Sequence, residues 1–214
     1  MRRGGVLVLC AVIGWGLSGC FDTGPSGPVC GAIVYEESFE GAGSGWPQSS
    51  NAESETWVEG GEYRVRLLDG NLYSYLRNEE QGPYTDFCYS GRVRDRSDGG
   101  AQSAGLAFRW TEDGRFYLFS ISPDSGTVIF AIFTDGRARA IHATSCDALH
   151  GVGEENLVQV IAEGNHFLFY VNGELLLEEY DSTLSAGRIG VSAASRDTIP
   201  TVLAFDDLVV RELE

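Results

Sequence analysis

From residue 32 to the C-terminus, apolar and polar positions alternate in short runs, and no stretch repeats apolar residues at the three- and four-residue spacing of a helical stripe. The alternation predicts strands over 32–40, 55–58, 62–68, 72–76, 86–94, 104–110, 115–122, 127–133, 137–144, 156–162, 166–171, 174–180, 187–193 and 202–210. Between them lie Glu112-Asp113-Gly114, Asp124-Ser125-Gly126, Thr134-Asp135-Gly136 and Asn172-Gly173, where Gly, Asn or Asp supplies the positive φ that a tight reversal needs. Asn172-Gly173, flanked by Phe167-Leu168-Phe169-Tyr170-Val171 and Glu174-Leu175-Leu176-Leu177, is the sharpest hairpin signal. Many short strands at roughly 8–12-residue spacing predict an all-β fold, a two-sheet antiparallel β-sandwich.

The opening of the chain breaks this pattern. Arg2 and Arg3 precede an apolar run from Val6 to Leu17 that ends in Leu17-Ser18-Gly19-Cys20. The run falls short of the roughly 20 apolar residues that a membrane-spanning helix needs. It resembles the bacterial lipoprotein signal with its lipobox. That resemblance implies removal of residues 1–19, acylation of Cys20 and an extracytoplasmic domain held to the membrane by lipid. In a Gram-negative cell it implies the outer membrane, because the residue after Cys20 is Phe21 rather than Asp. Residues 20–31, with Asp22-Thr23-Gly24-Pro25-Ser26-Gly27-Pro28, then read as a flexible tether, and residues 32–214 as the folded domain.

Charge narrows the partners. The chain carries 15 basic residues, all arginine, against 31 acids. Loss of residues 1–19 removes two arginines and no acid, so the formal charge goes from −16 to −18. Such a surface repels phosphates and excludes nucleic acid as a partner. Once Cys20 is committed to lipid, Cys30, Cys88 and Cys146 remain in an oxidising compartment, enough for one disulfide and an odd thiol. Spacing does not separate the three pairings. Strand placement favours Cys88 with Cys146, leaving Cys30 at the end of the tether.

Phe39 with Gly45-Trp46, Asp86-Phe87, Gly105-Leu106-Ala107-Phe108-Arg109, Phe116-Tyr117, Tyr170-Val171-Asn172-Gly173, Gly187-Arg188-Ile189-Gly190-Val191 and Phe205-Asp206-Asp207 follow one another in an order that resembles the concanavalin A-like jelly rolls. The similarity is to the laminin-G-like type and to the 3-keto-disaccharide hydrolase domain family, over roughly Val34 to Glu212. These are turn and core positions, so they speak for fold more than for activity. Retaining jelly-roll glucanases carry a Glu-x-Asp-x-Glu strand, since glycoside hydrolysis needs two carboxyl groups about 5–9.5 Å apart. Glu36-Glu37-Ser38-Phe39-Glu40 lacks the central Asp, and Glu178-Glu179-Tyr180-Asp181 runs into a turn. The resemblance brings structural calcium with it as a cofactor, for which Asp95 and Asp98 in Asp95-Arg96-Ser97-Asp98-Gly99-Gly100 form the best loop. His142, Cys146 and His150 have metal-like spacing on a helix, but the residues around them alternate as a strand.

The candidate ligand surface lies on the central hairpins. If Leu106, Phe108 and Trp110 face the core, the pleat turns Gly105, Ala107 and Arg109 outward, two small residues and one forked cation. Arg109, Arg115 and Tyr117 are the leading ligand-binding candidates, with Trp110 in their place if the facing is reversed. The function expected is non-catalytic binding of a glycan or another extracellular polymer. The alternatives are a hydrolase of the 3-keto-disaccharide type and a structural or protein-interaction lipoprotein of the envelope. The expected partners are therefore the membrane, through the lipid, and a glycan or an envelope protein. Replacing Cys20 with Ser is expected to move the protein from the membrane fraction to the soluble fraction, and unchanged fractionation would refute the anchor.

Overall fold

The alternation read from the sequence becomes two antiparallel sheets packed face to face, because each strand has one apolar row to bury. The computed structural model describes residues 28–43, 45–97, 102–196 and 200–214. Cys20, the leader and Asp98 lie outside the described residues.

One sheet runs in the order β13 (Glu174–Tyr180), β12 (His166–Val171), β11 (Glu155–Glu163), β6 (Phe87–Asp95), β15 (Thr201–Leu213), β4 (Glu62–Leu67), β3 (Ser54–Glu59), β2 (Ser49–Ser50), with β1 (Cys30–Glu37) paired to β15. The other runs β10 (Arg137–Ser145), β9 (Thr127–Thr134), β8 (Phe116–Ser122), β7 (Gln102–Trp110), β14 (Arg188–Ser195), β5 (Tyr73–Arg77). All the strands expected from the sequence form, and β2 is added to them. Asp135-Gly136 and Asn172-Gly173 each take positive φ at both central residues, the conformation that matches the twist of the strands they join.

Between the sheets lies an aromatic core of Phe39, Tyr63, Phe87, Tyr89, Phe108, Tyr117, Phe119, Phe130, Phe167 and Phe169, all essentially without solvent contact. Rings meet across the sandwich, as in Phe130–Phe169 with centroids 4.6 Å apart and Phe119–Phe169 at 4.7 Å. Each buried phenol finds an acceptor: Tyr63 donates to the Pro47 carbonyl at 2.6 Å, Tyr89 to the Gly190 carbonyl at 3.0 Å, and Tyr117 to Asp181 at 2.5 Å.

The disulfide joins Cys30 to Cys88, with Cα atoms 5.8 Å apart, and Cys146 is a buried free thiol. The expected pairing of Cys88 with Cys146 is therefore overturned. The cause is the pleat. Cys88 points to the outer face of the nine-stranded sheet, where it packs with Ile161 and Leu168, whereas Cys146 enters the core between the sheets. Cys30 is the first residue of β1 rather than the end of a tether. Its bond to β6 closes a 58-residue separation, worth about 4 kcal/mol on chain-entropy grounds. The Cys30→Ser/Cys88→Ser double variant is expected to be less stable by roughly 2–4 kcal/mol in denaturant titration, and an unchanged midpoint would show that the bond adds nothing.

Candidate functional site

On the outer face of the six-stranded sheet, apolar and polar side chains converge without being covered by another layer of the described residues. Its floor is small: Ser103, Ala107, Ser120, Ala131, Ser192 and Ala194 lie among the larger residues. Ser120 and Ser192 share a hydroxyl contact of 3.2 Å across β7, where Gly105 leaves room between them.

Above the floor stands a connected group of rings. Tyr75 reaches from edge strand β5 to within 5.1 Å of both Phe116 on β8 and Phe133 on β9, centroid to centroid. On a flat sheet β5 and β9 would stand about 19 Å apart, so these contacts require the sheet to curl into a trough. Trp110 stacks on Phe116 at 3.9 Å, and Tyr73, 66% exposed, stacks on Tyr75 at 6.4 Å. Partial burial pushes the Tyr75 phenol up to about 12, which keeps it neutral and able to donate a hydrogen bond.

The Tyr75 ring divides the trough into three hollows. One, about 100 Å³, is lined by Tyr73, Tyr75 and the serines. A second, about 340 Å³, lies between Trp110, Tyr75, Arg77, Glu79 and Glu112. The third, about 500 Å³, is bounded by Tyr73, Tyr75, Phe133, Gly136, Arg137 and Ala138, so strands at opposite edges of the sheet form its walls. At the rim of the second hollow Arg77 pairs with Glu79 at 2.8 Å and with Glu112 at 3.2 Å, and Arg188 pairs with Glu112 at 3.1 Å. Hydrogen bonding from Arg188, with the charge of Arg77, holds the Glu112 carboxyl below its usual range, and it stays ionised at neutral pH.

Trp110 belongs to this face because of a bulge. Gly190 on β14 pairs with Ala107, and Arg188 with Trp110, so one residue of β14 faces two of β7. Arg109 takes φ 49° at this point, and the alternation slips by one. Phe108 and Arg109 both turn into the core, and Trp110 turns out. The neighbouring strand is adapted to this: a Cβ on Gly187 would sit 2.3 Å from the Arg109 carbonyl carbon, and one on Gly190 would sit 3.1 Å from the Trp110 ring.

The bulge corrects the sequence-derived site. Arg109 is fully buried. Its guanidinium donates to the Leu184 and Thr85 carbonyls at 2.8 Å each and lies 4.9 Å from the centre of the Phe167 ring. Burial draws its pKa down, opposed by Tyr117 and by Asp86 at 3.8 Å. Tyr117 is equally enclosed, accepting from the Leu184 amide at 3.0 Å, so neither residue reaches a ligand. Arg115 is half-buried on the β7–β8 hairpin, held by Asp113 at 2.9 Å. Of the four candidates, Trp110 alone lines the trough. Tyr73, Tyr75, Phe133, Arg77, Arg137 and Arg188 were not anticipated, although Tyr73-Ser74-Tyr75 does carry a signal: two aromatics at i and i+2 on one strand share a face.

Asp95 ends β6 almost buried and accepts from the Ser97 amide at 2.8 Å, a local turn contact. Among the described residues no group of three or more His, Cys, Asp or Glu side chains converges on a common point. His142 bonds Glu179 at 2.6 Å and His150 bonds the Glu155 carbonyl at 2.7 Å, so the spaced set around Cys146 disperses.

No protein-family model matches the chain. Over 140 residues it is 26% identical to the levanase of Bacillus subtilis (strain 168), a match covering 64% of this chain and 20% of the levanase, so it spans about a fifth of that curated relative. Among solved structures it is similar to the carbohydrate-binding module CBM66 of Bacillus subtilis, with TM-score 0.62 and 20% identity, covering 79% of this chain and 96% of the module. It is also similar to the Bacillus licheniformis β-glucanase, with TM-score 0.61, 15% identity and coverage of 83% and 97%. The Pyrococcus furiosus endo-β-1,3-glucanase gives TM-score 0.64, 11% identity and coverage of 85% and 94%. At these identities the likeness is one of fold. The chain is a concanavalin A-like jelly roll, an architecture that carbohydrate-binding modules and glycoside hydrolases share.

Arg109→Ala is expected to strand two buried carbonyls and open a cavity, costing about 3 kcal/mol and lowering Tm by roughly 6–12 °C. A loss under about 0.5 kcal/mol in thermal unfolding would mean that the bulge does not need its guanidinium.

Proposed function

We propose that this chain is an extracytoplasmic, lipid-anchored module that binds glycan, without cleaving it, in the trough of its six-stranded sheet. The observation that carries the reading is the half-open ring group of Tyr73, Tyr75 and Trp110 beside serine hydroxyls and arginine–glutamate pairs. Sugar rings present apolar C–H faces and equatorial hydroxyls. An aromatic platform takes the first, and fixed donors and acceptors take the second.

Carboxylate placement supports binding over hydrolysis. The outward positions of β8 are Phe116, Leu118 and Ser120, and the described floor residues of the trough include no acid. The acids that line a hollow, Glu79 and Glu112, stand at the rim in contact with arginine. Glu112, held below its usual range by Arg188 and Arg77, is a poor proton donor to a leaving group. The Cys30–Cys88 disulfide favours an oxidising compartment, in keeping with the lipoprotein-type leader. The levanase relative makes levan the first polymer to offer.

The test is affinity electrophoresis of the folded domain through levan, laminarin, lichenan and polygalacturonate, with reducing ends assayed in parallel. Retardation by at least one polymer without new reducing ends is expected, and Trp110→Ala or Tyr75→Ala should weaken it by about tenfold or more. Retardation by none of a broad panel, or release of sugar, would overturn the reading.

A further inference from the structure

The third hollow differs from the second in one electrostatic respect. Arg77 and Arg188, beside the second, are each in contact with a carboxylate. Arg137, which walls the third, is exposed, and among the described residues no carboxylate lies in contact with its guanidinium. Arg115, on a nearby hairpin, is also paired, with Asp113. In a chain with about twice as many acids as arginines, a cation without a carboxylate partner at the wall of an aromatic hollow is an unspent recognition group.

Its setting limits what it can recognise. Arg137 follows directly from the Asp135-Gly136 reversal, and its backbone is fixed by pairing with Thr134. Across the hollow stand Tyr73, mostly exposed, and Tyr75 stacked behind it. A flat ring face on one wall and a planar guanidinium fork on the other suit a sugar unit that carries a planar or tetrahedral oxyanion, because the fork donates to two oxygens at once. Neutral units are better served by the compensated Arg–Glu pairs of the second hollow, where donors and acceptors alternate without net charge.

We infer that the hollow between Tyr73 and Arg137 is a subsite for an acidic sugar unit, one bearing a carboxylate or sulfate group, so that the favoured ligand is an anionic polysaccharide. The inference rests on the glycan-binding reading above. The net charge makes the test stringent, since at −16 for the full chain and −18 without residues 1–19 non-specific electrostatics repel a polyanion. A preference for one must arise from local contacts.

Matched polymers separate the contributions. Binding of the folded chain is measured by titration calorimetry with polygalacturonate against its fully methyl-esterified form, and with dextran sulfate against dextran. Arg137→Gln, an exposed change that leaves the core untouched, is run beside the wild type. The expected result is at least about tenfold tighter binding to the charged member of one pair, reduced to near parity by Arg137→Gln. Which pair responds identifies carboxylate or sulfate. Equal binding to both members of both pairs, or a preference that survives Arg137→Gln, overturns the acidic subsite while leaving glycan binding in place. Binding to none of these four polymers overturns the acidic subsite, and binding to none of them or of the levan, laminarin and lichenan panel overturns both.

Discussion

A buried guanidinium organises the end of the sandwich where the trough begins. An arginine taken out of water must have its charge compensated and its donors satisfied, or the fold pays several kcal/mol. Arg109 meets this in part: its two terminal nitrogens bind the carbonyls of Thr85 and Leu184, residues far apart in the chain, Asp86 lies 3.8 Å away and the guanidinium lies on the Phe167 ring, while its Nε is buried without a partner among the described residues. Those contacts tie the loop before β6 and the segment after β13 to one point on β7. They also explain why β7 tolerates a positive φ at a branched-out, long side chain: the strain of the bulge is offset by the bonds the side chain makes once it is turned inward. Remove the bulge and Trp110 would belong to the core, leaving the trough without its largest ring.

The trough is therefore preorganised by sheet geometry more than by loops. Tyr75, Phe116 and Phe133 hold one another across strands that a flat sheet would keep apart, and Trp110 rests on Phe116. Small residues beneath them let the rings descend toward the backbone, as Gly190 does under Trp110. A platform already packed in place loses little side-chain entropy when a ligand arrives.

Strand alternation and turn chemistry were legible because they are local: a period of two along each strand, and Asp-Gly or Asn-Gly where φ must be positive. The features that failed were those that depend on two strands at once. Nothing in Phe108-Arg109-Trp110 announces a bulge, since its cause lies in the pairing with Arg188 and Gly190. The disulfide likewise depends on β1 lying along the end of β15, which brings Cys30 near Cys88 while the sheet separates Cys88 from Cys146. The trough residues were half legible. Tyr73 and Tyr75 share a face by spacing alone, but only the curl of the sheet sets them opposite Phe133 and Arg137.

The two outer faces use charge differently. On the nine-stranded sheet arginines pair with acids within a strand, between strands and at strand ends: Arg64 with Glu62 on β4, Arg66 with Glu55, Arg92 with Glu155 and Asp207, and Arg96, just past β6, with Glu62. The more exposed of these, such as Arg66–Glu55, contribute little to stability, about 0–1 kcal/mol each. Together they lay compensated charge beside the apolar cluster of Cys88, Ile161 and Leu168 on that face. The six-stranded sheet keeps its compensated pairs at the rim of one hollow and leaves its floor uncharged. A ligand entering the trough must give up water to meet the rings, and it regains hydrogen bonds from groups that are already oriented. On the glycan-binding proposal, selectivity depends on which of the ligand's substituents meet those groups, because the rings favour any flat apolar sugar face alike.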